Sequence, residues 1–509
     1  MTEAFSNTDI DWGGLSPLIA LAVGIVLAMF AGTVLPSRQR PLSTLVAVLS
    51  LGSAAGLLLW QRDEIGIGGA KELVNGALVL DDIAAIAGLL VIVSAAVAVA
   101  LGWRESAFNG IFGAGGQGEF HSLLLGAVLG GVAMAMASNL VVAFLALELF
   151  SIPLYVLCGA SIRRRGSLES GLKYLIIGSL GSATFLFGTA FVFGASGATD
   201  FGSIEMALAN GIDTDSLLLI GVAFVTAGAA FKLSLAPFHQ WTPDVYQGAP
   251  TPVTAFMSVA TKVAMFALVA RLFEAAMAPS VDLWQPALAA VAALSIVIGN
   301  VGALGQDSLK RMLGYSSIAQ GGYMVIGLVV ATAEGLNALF FYLCAYALIN
   351  LAVFGAITLR ERVSKAGDDI RSIEGLGLRG GSDRWLAIAL TVGMIGLAGL
   401  PGTAGFMGKL YLISAAADDW LWLAILIAVG TMVSLIYYLR VVAAVWFKPV
   451  PEDDGLDPPA ELAPLYKGGA TGRTAIVTII VAFTVLTVFF GIFPQPLVEF
   501  AESAATALF

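Results

Sequence analysis

Cysteine, histidine and charge are all scarce in this chain. Two cysteines (Cys158, Cys344) and two histidines (His121, His239) stand among 509 residues. An iron–sulfur cluster usually draws on four thiolates and a zinc site on three or four nitrogen or sulfur ligands, so this inventory excludes much of that chemistry. Both cysteines lie in apolar runs far apart and read as buried structural thiols. No GxGxxG precedes an acidic residue in a βαβ setting, and GxxxxGK[ST] and GxSxG are absent. No cofactor and no metal is therefore expected on this chain itself, which excludes a self-contained redox enzyme. Charged residues make up 12%, against about 25% in ordinary soluble proteins. A net charge of −10, with the few basic residues in short loops, also excludes a nucleic-acid footprint.

What the chain has instead is apolar length. It is 58% hydrophobic and carries 59 glycines, a composition suited to close helix packing in lipid. Runs long enough to cross a bilayer recur near 15–35, 42–60, 79–102, 120–137, 140–160, 168–195, 216–240, 251–276, 284–304, 308–331, 336–360, 385–416, 419–447 and 474–494. The fold class expected is an all-α polytopic membrane protein of about 14 transmembrane helices. The acidic start MTEAFSNTDIDWGG lacks the basic region of a cleavable leader, so the first run is expected to be retained.

Loop charges check that count. Loops after odd-numbered spans hold Arg38 and Arg40, Arg104, Arg163-Arg164-Arg165, Lys310-Arg311, the Arg360–Arg384 cluster, Lys448 and Lys467. Loops after even-numbered spans hold Asp63, Glu64, Asp200, Glu205, Asp213, Asp215, Asp282, Asp418 and Asp419. Arg62, Lys71 and Arg271 break the alternation. The positive-inside rule then puts odd-numbered exits in the cytoplasm and both termini outside.

Three spans contain helix breakers. The seventh has Pro237 in FKLSLAPFHQW, the eighth opens with Pro250 and Pro252, and the twelfth contains Pro401 in GLAGLPGTAGF. Pro237 and Pro401 deny a hydrogen bond to the carbonyls of Leu233 and Leu397. Within a membrane such carbonyls must be satisfied by protein or a wet cavity. Lys232 precedes one break and Lys409 follows the other, and spans five apart cross in opposite directions. The two lysines are thus expected at equivalent places of an inverted repeat.

Lys173, Lys232, Lys262, Lys409 and Glu148 lie inside apolar spans, where each charge costs roughly 2.5–3.5 kcal/mol on insertion scales. Counting about 1.5 Å per helical residue from the nearest loop puts Glu148 roughly 22 Å, Lys232 roughly 18 Å and Lys262 roughly 15 Å deep. Lys409 is also too deep to reach water through lipid, whereas Lys173 is shallower and snorkelling competes as its explanation. Desolvation pushes a deep lysine towards neutrality and a carboxylate pulls it back, so these groups are candidates for a proton relay, with Glu148 as the partner of a lysine. Buried ion pairs fixing helix registry are the plainer alternative, but one glutamate cannot neutralise four lysines. His239, seven residues beyond Lys232, suits proton transfer or an ordinary structural hydrogen bond. His121 is expected at the interface.

The stretch LAPFHQWTPDVYQGAPTPVTAFMSVATKVAMFALVARLF (235–273) resembles the N-type membrane subunit of bacterial proton-pumping NADH:quinone oxidoreductase, respiratory complex I. LAGLPGTAGFMGKLYL (397–412) is similar to its broken twelfth helix. The wider family includes Mrp-type cation/proton antiporter subunits. The resemblance matches Glu148 to the fifth-helix glutamate, Lys173 to the sixth-helix lysine and Lys232 to the lysine of the broken seventh helix. It matches Lys262 to the connecting lysine of the eighth and Lys409 to the lysine of the twelfth, where the M-type subunit has glutamate. It implies an N-terminal three-helix segment (1–115), two inverted five-helix repeats (116–280 and 281–450) and a C-terminal loop and helix (451–509). It further implies proton translocation in the bacterial inner membrane, driven by quinone reduction. Flavin, iron–sulfur clusters, NADH and quinone would sit on partner subunits, the other complex I membrane subunits among the neighbours. A cation/proton antiporter without redox partners, or a scaffold with purely structural charges, are the competing classes.

Overall fold

The computed structural model describes residues 10–35, 42–66, 68–103, 117–212, 216–362, 364, 367–379, 381–449 and 470–506. Arg38, Arg40, Arg104, Asp213, Asp215 and Lys467, used in the loop pattern, lie outside the described residues.

Apolar runs rich in alanine, leucine and glycine have no water to satisfy their backbone in lipid, so they close their hydrogen bonds within helices. In chain order these are α1 (Ser16–Thr33), α2 (Leu42–Ile65), α3 (Asp82–Gly102), α4 (Gln117–Met136), α5 (Leu140–Cys158) and α6 (Arg165–Ser196). There follow α7 (Phe201–Ala207), α8 (Ser216–Lys232), α9 (Trp241–Gly248), α10 (Thr251–Ala270), α11 (Val281–Leu304) and α12 (Leu309–Val329). The last six are α13 (Ala333–Glu361), α14 (Gly381–Ala398), α15 (Ala404–Ala416), α16 (Leu421–Phe447), α17 (Ala470–Ile492) and α18 (Gln495–Ala505). A small antiparallel hairpin, β1 (Lys71–Leu73) and β2 (Leu78–Leu80), pairs Leu73 with Leu78. Its turn takes left-handed backbone at Val74, Asn75 and Gly76, and the Asn-Gly pair is its sequence signature.

Ten helices among the described residues are long and apolar enough to cross a membrane, or eleven if the bent pair Ile476–Ile492 and Gln495–Ala505, 84° apart, counts as one. The chain is a multi-pass membrane protein. Helix α8 stops short at Lys232, α12 carries Lys310 and a run of polar residues, and α14 and α15 divide one apolar stretch between them. α10 is buried along its whole length and α13 almost so. They form the axis around which the other helices pack. Close packing elsewhere rests on glycine: a Cβ on Gly32 of α1 would strike the Cα of Gly118 on α4.

Two loop contacts repeat along the chain. Leu140 N donates to Thr199 O (2.8 Å) and Phe201 N to Ser138 O (3.0 Å); Leu309 N donates to Asp368 O (2.7 Å) and Ile370 N to Asp307 O (2.9 Å). Every residue of the second set lies 169 positions after its counterpart (140 to 309, 199 to 368, 201 to 370, 138 to 307). The residues between them cap helices in both sets: Asn139 and Asp200 in one, Ser308 and Asp369 in the other.

The helix breaks match as well. Leu235 N donates to Ala230 O (2.7 Å) and Leu400 N to Ile395 O (3.1 Å), each five residues back. Ser234 (φ 64°) and Gly399 (φ 77°) hold the left-handed position that ends the helix.

The three basic residues that broke the loop alternation are each neutralised by an aspartate. Arg62 pairs with Asp82, Lys71 with Asp11 and Arg271 with Asp81, all at 2.5 Å. Their positive charge is therefore cancelled locally.

Candidate functional site

Lys232 ends α8 and is buried, with its Nζ donating to Ser151 Oγ (2.6 Å) and Tyr155 OH (3.1 Å). Glu148, Ser151 and Tyr155 fall three and four residues apart on α5, so they form one stripe of that helix. Lys232 meets the stripe beyond the glutamate. Glu148 has no ion pair among the described residues, and its buried Oε1 finds no hydrogen-bond partner. Glu148, expected as the partner of a lysine, makes no direct ion pair with one among the described residues, and Lys232 bonds the Ser151 and Tyr155 hydroxyls of the same helix.

The carbonyls freed at the two helix breaks are taken by lysines. Lys262, reaching from α10, donates to Leu233 O (3.1 Å). Lys409, reaching back from α15, donates to Leu397 O (3.0 Å) and Ala398 O (3.2 Å). An ammonium at a helix C-terminus meets both orphan carbonyls and the negative end of the helix dipole. Leu233 and Ala398 each immediately precede the left-handed residue of their break. In its contact with a freed carbonyl Lys409 is matched by Lys262, whereas Lys232, expected at an equivalent place, turns from the break towards α5.

Helix α12 connects these two sites. Gln320 donates to Leu397 O (3.0 Å), which Lys409 also binds, and to Tyr438 OH (3.2 Å); Tyr342 OH donates to its Oε1. At the adjacent Gly321 a side chain is missing where a Cβ would stand 3.4 Å from both Lys262 Nζ and Leu233 O. Tyr246 and Tyr346 hydroxyls bond Ser317 Oγ at 3.1 Å each, and Ser316 Oγ bonds Tyr438 OH at 2.5 Å. Asn300 joins Tyr437 OH and Tyr323 OH, both at 3.0 Å, and Lys409 Nζ lies 4.8 Å from the Tyr323 ring centre. A hydroxyl accepts one proton while donating another, so α12 carries two hydrogen-bonded clusters, one around Ser317 and one around Gln320 that meets Lys409 at Leu397 O.

Lys173 belongs to a different setting. Its side chain is 38% exposed and pairs with Glu169 (2.6 Å) and Asp244 (2.7 Å); Asp244 also pairs with Arg311. His239 is half-buried, and its Nδ1 has no hydrogen-bond partner among the described residues. It does not touch Lys232. Pro237 and Phe238 beside it, and Pro401 in the second break, are exposed on the surface of the chain. His121, expected at the interface, is buried and bonds Ser43 Oγ (3.2 Å).

Several buried charges escape a reading by sequence, Lys310 and Glu274 among them. Lys310, grouped above with loop charges, is fully buried at the start of α12. It donates to Ala249 O (3.0 Å) and Thr251 Oγ1 (3.2 Å) and pairs with Glu361 (3.4 Å). Glu274, 6% exposed in a π-helical turn after α10, has no partner on either carboxyl oxygen. Glu148 is therefore not the sole carboxylate within a span. Among the described residues no group of three or more His, Cys, Asp or Glu could hold a metal ion.

Residues 137–434 match the family model described as NADH:quinone oxidoreductase/Mrp antiporter, TM. The chain belongs to that family. The matched stretch contains both breaks and all six sequence candidates, Glu148 to Lys409. Among relatives in this family, NADH-quinone oxidoreductase subunit N of Desulforamulus reducens is 36% identical over 480 residues, 94% of this chain and 95% of the relative. A chain of respiratory complex I from Thermus thermophilus with bound aureothin is 33% identical at a TM-score of 0.77, covering 95% of this chain and 98% of that one. A chain of the Mrp complex from Dietzia sp. DQ12-45-1b shares the fold at a TM-score of 0.81 with 22% identity, covering 97% of each.

Proposed function

We propose that the chain is a proton-translocating membrane subunit of an NADH:quinone oxidoreductase. The observation that carries this reading is the pair of lysine-capped helix breaks flanking α12, whose Gly321 backs onto Lys262 and whose Gln320 shares Leu397 O with Lys409. Each lysine's charge faces the freed carbonyls of its break, one for Lys262 and two for Lys409, so protonation and local structure are coupled. Lys232, Lys262 and Lys409 are the proton carriers. Ser151 and Tyr155 tie Lys232 to the stripe that bears Glu148. Ser316, Gln320, Tyr342 and Tyr438 form the hydrogen-bonded cluster that meets Lys409 at Leu397 O. Lys173, paired at the membrane edge, sets the charge around Asp244, and His239 serves at the edge of the first break.

The reading includes fourteen crossings and two inverted repeats, 116–280 and 281–450, between an N-terminal segment (1–115) and a C-terminal one (451–509). The loop contacts repeating at 169 residues and the matched helix ends support it. Loop charges favour the bacterial inner membrane with both termini on the periplasmic side. Flavin, iron–sulfur clusters, NADH and quinone would belong to partner subunits, with related antiporter-like subunits as neighbours. Quinone reduction on those partners would drive the rearrangement, and no electron passes through this chain.

A cation/proton antiporter without redox partners is the second reading, favoured by the shared fold of the Mrp chain. Sequence identity to the complex I relatives weighs towards the first. Purification of the intact assembly from its native membrane separates them. The proposal expects NADH- or quinone-linked oxidoreductase activity to copurify; an assembly holding only antiporter-type subunits would overturn it.

A further inference from the structure

We propose that Lys310 and Glu361 form a proton-loading site, which takes protons at the membrane face where α13 ends and passes them inward to Lys262. This deepens the proton-translocating reading and rests on it. Lys310 Nζ is fully enclosed, yet its carboxylate partner is not: the Glu361 side chain is 17% exposed. Glu361 thus bridges the surface and the interior. Thr251 Oγ1 donates to its second oxygen and accepts from Lys310, so three polar groups close a ring at the junction of α10, α12 and α13. Ala249 O, the end of α9, supplies the remaining acceptor.

Fastening three helices does not require an ionised pair. Removing two charges from water costs several kcal/mol per ion before their attraction offsets it, and an apolar pair would serve as well. Arg311, the next residue, turns away to Asp244, which also holds Lys173.

The inward route runs along α12. Ser317 lies seven residues from Lys310, about 10 Å by helical rise, and gathers the hydroxyls of Tyr246 and Tyr346. Gly321 lies four residues further, about 6 Å, and lets the α12 backbone approach Lys262, whose Nζ would stand 3.4 Å from an added Cβ. One transfer balances as follows. A proton binds the Glu361 carboxylate; the Lys310 ammonium releases a proton inward, relayed by bridging water and the Ser317 hydroxyl, each accepting one proton as it gives up another, to Lys262 in its neutral amine form; the Lys310 amine then takes the proton held on Glu361. One proton moves and no electron does.

The test uses the whole complex in closed vesicles, with NADH-driven acidification normalised to the amount of assembled complex. Glu361→Gln keeps size and hydrogen-bond acceptance but cannot carry the proton. Lys310→Arg keeps the charge but does not release it. Acidification is expected to fall at least about threefold in each, a conservative fraction of the 10²–10⁴ lost when one isolated step loses its proton-transferring group. A merely structural pair predicts near-normal acidification in both, and that result overturns the inference. If Lys310→Arg does not assemble, Glu361→Gln decides alone. Lys262→Ala distinguishes the two layers: normal acidification there defeats the translocation reading, while loss there with a normal Glu361→Gln defeats only the loading site.

Discussion

Gln320 and Lys409 donate to one and the same oxygen, the carbonyl of Leu397, at 3.0 Å each. That oxygen lost its helical partner to the break at Gly399 to Thr403. A defect in one helix has become the junction between a hydroxyl network and an ammonium.

Gln320→Leu removes the junction and leaves Tyr342 OH and Tyr438 OH each short of a partner. An unsatisfied buried polar group costs about 1–3 kcal/mol. The variant should assemble with reduced thermal stability and lose most of its NADH-driven proton transport, read as vesicle acidification per assembled complex. Normal transport in Gln320→Leu would show that α12 carries no protons.

Lys409→Glu looks mild from the sequence, because the M-type relatives of the resemblance have glutamate there. The geometry argues otherwise here. A carboxylate at 409 would face Leu397 O and Ala398 O at the negative end of α14, a repulsive placement. Proton transport should be lost in Lys409→Glu as fully as in Lys409→Ala. A clearly more active glutamate variant would mean that the break re-forms around a protonated acid.

Gly399 holds φ 77°, and a Cβ there would stand 2.8 Å from Lys409 Cδ. Gly399→Ala should destabilise the chain by about 1–2 kcal/mol from backbone strain alone, besides displacing the lysine. Ser234→Gly relieves the same strain at the other break and should not lower the melting temperature. Thermal unfolding of the purified complex in detergent compares the two; equal losses would remove the left-handed backbone as the cause.

Arg271 is buried against Asp81 (2.5 Å) and also donates to Ala135 O (2.9 Å). Asp81→Ala strands a buried guanidinium, at a cost of about 3–5 kcal/mol. Replacing both residues, as Asp81→Ala with Arg271→Met, should recover most of that loss in the same unfolding assay. A double variant no better than the single would argue against a charge effect.

Much of the architecture was legible in the sequence because each crossing needs a long apolar run and each loop carries its sign of charge. Pro237 and Pro401 marked the breaks, and the freed Leu233 and Leu397 carbonyls could be named from the prolines alone. Which lysine caps which carbonyl was not legible. Lys262 approaches from a separate helix, and no spacing rule links residue 262 to 233. Lys310 looked like a loop charge because its neighbour Arg311 is one; only the packing of α10 and α13 over α12 encloses it. The run GYSSIAQGGY at 314–323 was the available sign of the α12 network, a polar stripe in a stretch otherwise apolar. Glu274 was hidden by its place at the end of a span, where a carboxylate ordinarily reaches water.

The central claim is that buried lysines of this chain move protons, and Lys232→Ala in the assembled complex tests it most directly. Among the described residues the Lys232 ammonium bonds only the hydroxyls of Ser151 and Tyr155, so its removal leaves groups that can bond each other. Vesicle acidification driven by NADH, normalised to assembled complex, should fall severalfold in this variant. Acidification equal to that of the unmodified complex would contradict the account.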